Sequence, residues 1–162
     1  MIRKIMLVIV LVFLITGIGF ASQDEIAFKN EPDGFRGLKW GDKPTEDMEF
    51  LLQNKSEEIF YIRPSDKMKI ENVELSSIIY GFYKGRFTWV ICNFDKESDY
   101  DILEIICKER FGKPIIEEYH NSFWYGNKAM VKLWYYSKAI GGTLTIASRI
   151  IKDEKKTTED GF

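Results

Sequence analysis

The stretch VELSSIIYGFYKGRFTWVICNF, Val73–Phe94, predicts two β-strands joined by a tight turn. Apolar residues dominate both halves, and Lys84 and Gly85 separate them, with Gly85 supplying the positive φ that such a turn needs. Both strands are apolar on both sides in places, which is typical of strands that are covered on both faces. The stretch therefore predicts a hairpin within an antiparallel sheet.

A first helix is predicted to begin at Thr45 and to end near Asn54. Thr45 can cap free backbone N–H groups, and the acidic residues that follow it suit the N-terminal end of the helix dipole. Trp40 stands just before this helix and is expected to pack over the seam between helix and sheet, where Gly37 and Gly41 let the chain turn closely. The apolar side of the helix is predicted to consist of Met48, Leu51 and Leu52.

A second helix is predicted within DKESDYDILEIICKERFGKP, Asp95–Pro114. Ser98 is the predicted N-cap, and Gly112 followed by Pro114 ends the helix. Its buried side is expected to consist of Ile102, Ile105, Ile106 and Cys107.

Shorter strands complete the pattern, and they are predicted at Ile59–Arg63, Ile115–Tyr119, Ser122–Tyr125, Met130–Tyr136 and Thr143–Ile151. The order helix, strands, helix, strands predicts a two-layer α+β fold in which one antiparallel sheet carries two helices on one face. The segments IYGFYKGRFTWVICNF and LWYYSKAIGGTLTIAS share an aromatic strand, a glycine turn and an apolar strand. This similarity suggests a weak internal duplication.

The N-terminus has the composition of a secretory signal peptide. Arg3 and Lys4 precede an uncharged apolar run, and Gly19 and Ala21 provide small residues for cleavage after Ala21. Residues 1–21 are therefore predicted to be a signal peptide, which indicates a periplasmic or secreted protein. The alternative is an uncleaved anchor in the inner membrane. Residues 22–34 are predicted to be a flexible arm, 35–152 a single globular domain and 153–162 a disordered tail.

The charge pattern argues against two classes of partner. The chain has 23 Lys and Arg against 25 Asp and Glu, a net charge of −2, and its lysines are dispersed. A nucleic-acid-binding protein would show a basic face, and a protein that binds anionic lipid would show a polybasic segment. We therefore expect no nucleic acid as a partner, and membrane contact only if the signal is uncleaved.

The two cysteines leave two interpretations open. Cys92 falls in an apolar strand and Cys107 in an apolar turn of the second helix. They are either two buried thiols or a disulfide that forms after export. No metal or other cofactor is expected, because a structural zinc needs four ligands and no histidine lies near these cysteines.

No catalytic motif is evident in the sequence. His120 is the only histidine, and it lies in a polar turn without a recognisable activated nucleophile. The alternating acids Asp95, Glu97, Asp99 and Asp101 lack the glycine and glutamate that an EF-hand needs at later positions. The chain is therefore predicted not to be an enzyme, and a secreted enzyme of unrecognised type is the alternative.

Aromatic side chains give the clearest functional indication. Trp134 and Tyr136 share one side of a strand, and Leu133 and Tyr135 share the other, so both faces of the sheet are apolar there. Helices on one face leave the other face to be covered by a chain terminus, a second copy or a partner. The predicted function is a non-catalytic module that binds an envelope protein or a small ligand. Its candidate binding residues are Trp40, Trp89, Trp124, Trp134 and Tyr136.

The segment FRGLKWG, Phe35–Gly41, resembles the F-x-G-x-x-W-G opening of small, uncharacterised secreted proteins of Gram-negative bacteria, which also end a later helix with Gly-Lys-Pro, as at Gly112–Pro114. The resemblance covers most of the mature chain and implies a periplasmic location without a known activity. The order of elements also resembles the small lipoprotein of the outer-membrane assembly machinery and the β-lactamase inhibitor protein. The chain lacks the lipobox cysteine of the former.

Overall fold

The computed structural model describes residues 28–151, so the predicted signal peptide, residues 22–27 of the predicted arm, residue 152 and the predicted tail lie outside the described residues. One long helix and twelve strands form this part of the chain, and the backbone turns helical again at 149–151. The helix α1 comprises Glu97–Phe111. The strands are β1 Gly34–Phe35, β2 Leu38–Lys39, β3 Glu49–Gln53, β4 Glu58–Ile62, β5 Lys69–Ile70, β6 Val73–Glu74, β7 Ser77–Tyr83, β8 Arg86–Phe94, β9 Ile116–Glu118, β10 Asn121–Tyr125, β11 Ala129–Ser137 and β12 Gly141–Ser148.

Eight of the strands form one antiparallel sheet in the order β3-β4-β7-β8-β12-β11-β10-β9. The hairpin β7–β8 closes through Lys84 and Gly85, whose φ angles are 50° and 71°. Strand β8 then pairs with β12, so the two long hairpins β7–β8 and β11–β12 lie side by side in the middle of the sheet. The four remaining strands form the two-stranded ladders β1–β2 and β5–β6.

The predicted α+β class is wrong, because the structure is mostly β and does not have two helices packed on the sheet. The segment predicted as the first helix, 45–54, contains strand β3 instead. Asn54 explains the difference, since its Oδ1 accepts hydrogen bonds from the N–H groups of Ser56 and Glu58, both at 3.0 Å. These bonds close a turn that folds β3 back onto β4. The predicted helix–strands repeat is lost together with that helix.

Helix α1 covers part of one sheet face, which we call the inner face, and it contacts β11, β12 and β6. Its buried side chains are Tyr100, Leu103, Cys107 and Phe111. The predicted buried side was therefore wrong in part, because Ile105 is 58% exposed and Ile102 and Ile106 are half-buried. Two aromatic rings, one near each end of the helix, define the contact side, since they bury more area than the isoleucines between them.

The two ends of α1 differ in how well the sequence predicted them. Lys96, not Ser98, is the N-cap residue, and no side chain caps this end. The predicted stop is present: Gly112 has a φ of 84°, and its N–H donates a hydrogen bond to the carbonyl of Lys108 at 2.9 Å. A positive φ favours glycine, so the chain leaves the helix there without strain.

Loops cover the inner face where α1 does not reach. The side chain of Asp66 is only 6% exposed; it forms an ion pair with Arg36 at 3.3 Å and accepts a hydrogen bond from the hydroxyl of Tyr80 at 2.5 Å. Arg36 also donates to the carbonyls of Lys67 and Lys69, at 2.7 and 2.8 Å. Burial, together with the hydrogen bond to Asp66, raises the pKa of Tyr80, so the hydroxyl remains a neutral donor. This cluster fixes the loops beside β1 and β5 over the sheet.

Residues 28–33, which lie within the predicted arm, pass the C-terminal end of α1. The ring of Phe28 meets Phe111 edge-to-face at 5.4 Å, and the N–H of Lys29 donates to the carbonyl of Phe111 at 2.8 Å. The carboxylate of Glu31 accepts hydrogen bonds from three successive backbone N–H groups at 127–129, over distances of 2.6 to 3.0 Å. The segment is thereby tied both to the helix and to the turn between β10 and β11.

A carboxylate joins α1 to β10 on the inner face. Glu104 accepts hydrogen bonds from Ser122 at 2.5 Å and Tyr100 at 3.1 Å, and it pairs with Lys108 at 3.1 Å. Burial pushes the pKa of Glu104 upward, but the hydrogen bonds from Ser122 and Lys108 outweigh burial and hold the pKa below its ordinary value of 4.5.

We expect Glu104→Gln to lower the free energy of unfolding by about 1–2 kcal/mol at about pH 7 and to change it little at about pH 2. A carboxylate whose pKa is lowered by folding contributes stability above its unfolded pKa, and this contribution is lost as the pH falls through the folded pKa. Urea unfolding at both pH values measures the difference. Glu109→Gln, on the exposed side of the same helix, is the matched control. Equal losses at both pH values would contradict this account of Glu104.

Candidate functional site

The candidate site is the sheet face opposite to α1, which we call the open face. Residues paired across an antiparallel ladder project to the same side of a sheet, so the register defines which side chains share this face. No helix or strand within 28–151 packs across it. Across β8, β12, β11 and β10, its rows are Trp89, Ala147, Met130 and Tyr125, then Ile91, Thr145, Lys132 and Phe123, and then Asn93, Thr143, Trp134 and Asn121.

A ladder of stacked side chains stands on β11 within this face. The ammonium of Lys132 lies 3.8 Å from the ring centre of Trp134, and the rings of Trp134 and Tyr136 stack at 4.7 Å with an angle of 21° between their planes. Trp134 is 36% exposed and Tyr136 is 47% exposed. The parity predicted from the sequence is therefore present, since Leu133 and Tyr135 are buried on the inner face.

Trp89 forms a second aromatic part of the open face. Its indole lies directly on the backbone of Gly81, where an added Cβ would come within 2.0 Å of a ring carbon. The ring of Phe60 lies beside it, with 5.1 Å between ring centres. The glycine lets the large ring lie close to β7, so Trp89 is half-buried and flat against the sheet.

Two of the predicted binding aromatics do not belong to the open face. Trp124 is only 1% exposed and points to the inner face, because it pairs with Val131 and is thus one residue out of phase with Phe123. Its Nε1–H donates to the carbonyl of Gly112 at 2.7 Å. Trp40 is half-buried beside β8; its ring stacks on Phe87 at 4.9 Å, and its Nε1–H donates to the carbonyl of Pro32 at 2.8 Å. No helix follows Trp40, so it packs against the sheet and the N-terminal segment.

An unpaired acceptor lies next to the ladder. Asn121 is opposite Trp134 across the β10–β11 ladder. Its Oδ1 is buried and has no hydrogen-bond partner among the described residues. A buried acceptor without a partner costs about 1–3 kcal/mol.

Sequence reasoning missed both Lys132 and Asn121 as members of the candidate site. Lys132 precedes Trp134 by two residues, so the period of two that groups Trp134 with Tyr136 could have found it. Asn121 lies on another strand, and only the pairing register brings it to Trp134. No local sequence pattern signals that register.

His120 is packed among aromatic rings in the two-residue turn between β9 and β10. Its ring lies 3.8 Å from that of Tyr119, 5.1 Å from that of Tyr100 and 5.3 Å from that of Tyr135. Its Nε2 is 3.2 Å from a carboxylate oxygen of Glu97. These contacts give His120 a packing role at the end of the sheet.

The described chain shows no group of three or more His, Cys, Asp or Glu side chains that could hold a metal ion. The acids at 95–101 therefore do not converge on a common point within it. Over the same residues, no helix has the length and apolar character needed to cross a membrane.

No protein-family model matches this chain, and no curated protein or solved structure matches it either. The resemblance of the segment Phe35–Gly41 to secreted Gram-negative proteins, and of the element order to two envelope domains, therefore stays a prediction.

The two cysteines, Cys92 on β8 and Cys107 on α1, are both buried. Both are buried free thiols. Burial raises the pKa of each thiol to about 12, so neither carries appreciable thiolate near neutral pH.

We expect Ellman's reagent to react slowly with the native protein and to detect two thiols per chain in denaturant without reductant, as the two free cysteines require. The Cys92→Ser and Cys107→Ser variants should each reduce the denatured count to a single thiol. A denatured count of zero, restored by reductant, would instead demonstrate a disulfide.

Proposed function

We propose that this protein is an exported, non-catalytic binding module whose open face docks onto another protein of the cell envelope. The observation that carries the proposal is the exposed ladder of Lys132, Trp134 and Tyr136 on a sheet face that no described helix or strand covers. Tryptophan and tyrosine are enriched among the residues that dominate protein–protein binding energies. The signal-peptide pattern of residues 1–21 supports export.

The charge on the open face indicates the chemistry of the partner. Lys132 lies in the middle row of the open face, whereas Glu118 of β9 pairs with Asn121 beside it and the guanidinium of Arg149 lies over the ring of Tyr125 at 3.8 Å. A nucleic acid would need a row of cations, whereas this face carries a carboxylate beside its cations. The complementary partner is therefore an apolar protein surface that carries a carboxylate opposite Lys132.

Two other occupants fit this face less well. A second copy stacked face to face about β11, where the aromatic ladder lies, would bring two copies of Lys132 together in an apolar interface, where like charges are costly. The C-terminal residues 152–162, KDEKKTTEDGF, contain a single large apolar residue, Phe162. Such a segment supplies little apolar area to cover several aromatic rings.

We expect the double variant Trp134→Ser/Tyr136→Ser to lose its partner. The tagged chain is cross-linked in its own envelope, the captured protein is identified and purified, and its Kd for the two forms is measured by calorimetry. Loss of two aromatic anchors should raise the Kd at least about 30-fold. N-terminal sequencing of the purified chain, with Ser22 expected first, reports cleavage in the same experiment.

The matched control is Tyr119→Ser, which removes a highly exposed aromatic ring outside the open face and should leave the Kd unchanged. Circular dichroism verifies that the variants are folded. Unchanged binding by the folded double variant would refute the proposed surface. A wild-type dimer in sedimentation that the double variant dissociates would identify a second copy as the occupant and would equally overturn the proposal.

Charge reversal at Lys132 tests the predicted chemistry of the partner. We expect Lys132→Glu to weaken binding about tenfold more than Lys132→Met, because the methionine keeps the apolar contact while the glutamate repels a carboxylate. Binding by the wild-type chain should also weaken with salt. Equal affinities of the two variants would show that no acidic group faces this position.

A further inference from the structure

A cleft of about 580 Å³ lies on the inner face, away from the proposed docking surface. Helix α1 and strand β12 form two of its sides, and the segments 30–36 and 69–71 form the others. The cleft occupies the seam where the cover provided by α1 ends and the cover provided by loops begins. Its volume falls within the range of about 300–1,000 Å³ that is usual for small-molecule sites.

The deep part of the cleft is aliphatic. Its lining residues from the helix and the sheet include Leu103, Ile106, Leu144 and Ile146. The thiol of Cys107 also lines it, and burial raises the pKa of that thiol to about 12, so it is uncharged. A polar ligand group placed there would lose its hydrogen bonds to water without replacing them. The part of a ligand that enters must therefore be hydrocarbon.

The mouth of the cleft carries the charged groups. Arg36 and Lys69 are each already ion-paired within the protein, at 3.3 Å. Arg110 also lines the cleft; its guanidinium lies over the ring of Phe111 at 5.9 Å and forms no ion pair with a described carboxylate. Asp33 and Glu71 also line the cleft, as does Glu31, whose carboxylate is already bound to the backbone N–H groups at 127–129. A head group with one negative charge therefore fits better than one with two.

We propose that this cleft binds a long-chain fatty acid, with the acyl chain on the aliphatic floor and the carboxylate at Arg110. The aliphatic floor selects a flexible hydrocarbon, and the guanidinium offers paired donors whose geometry matches a carboxylate. The site is independent of the open face, because the two lie on opposite sides of the sheet.

The test uses the processed chain purified from its envelope and cis-parinaric acid, a fatty acid whose fluorescence rises in apolar surroundings. We expect saturable binding of one probe per chain and displacement by oleate. Ile106→Trp should fill the cleft and raise the Kd at least tenfold. The matched control is Ile105→Trp, the adjacent helix position, which faces solvent and should bind as the wild type does. Ile70→Trp fills the cleft from the opposite wall, should Ile106→Trp fail to fold.

The head group is tested separately. Arg110→Gln should weaken oleate about tenfold and leave oleyl alcohol unchanged, since only the carboxylate needs the guanidinium. Absence of saturable binding, or equal binding by folded Ile106→Trp and wild type, would overturn the proposal. The Trp134→Ser/Tyr136→Ser variant should bind the fatty acid normally, so failure of one site is distinguishable from failure of the other.

Discussion

The structure is governed by a mismatch between the width of its sheet and the size of its helical cover. Eight antiparallel strands span roughly 34 Å, whereas a helix with its side chains is about 10–12 Å across. Helix α1 therefore covers only β11, β12 and, through Glu104 and Phe111, β10 of the inner face, and the loops fixed by Asp66 and Arg36 must cover the rest. The seam between these two covers leaves the cleft, and the opposite face is left without any described cover. Both the cleft and the open face therefore exist because one helix is too narrow to cover the sheet.

The strands of the sheet were largely predictable, because the β7–β8 hairpin is specified by residues that are close together in the sequence. Lys84 and Gly85 have the positive φ angles that a two-residue hairpin needs, and β-branched and aromatic residues flank them. The error at 45–54 has an equally local cause. Met48, Leu51 and Leu52 fit a helical spacing, but the side chain of Asn54 closes a turn to Glu58 and favours β3 pairing with β4. Three apolar residues are compatible with both a helix and a strand, and the turn at Asn54 determines that this segment forms a strand.

Only the residues of the candidate site that lie on one strand, β11, could be predicted together from the sequence. Parity along β11 correctly groups Trp134 with Tyr136, because alternation is a property of the strand itself. Trp124 and Asn121 depend on the register between β10 and β11, which is set by long-range packing, so their faces could not be deduced from sequence. The cleft was beyond reach for the same reason. Its walls come from residues 30–36, 69–71, α1 and β12, which are far apart in the chain.

Both edge strands of the sheet have features that discourage the addition of a further strand, so the faces of the sheet are the surfaces available for binding. Strand β3 exposes Phe50, Leu51 and Leu52, yet its register shifts between Phe50 and Leu52, and such a bulge interrupts the regular backbone pattern that an added strand would need. The other edge, β9, is three residues long and carries Glu117 and Glu118. Short charged edges and bulges discourage strand addition. An occupant of this sheet therefore gains most from side-chain contacts. The open face offers aromatic rings that contact cations, whereas the inner cleft offers branched aliphatic walls, so the two surfaces select different ligands.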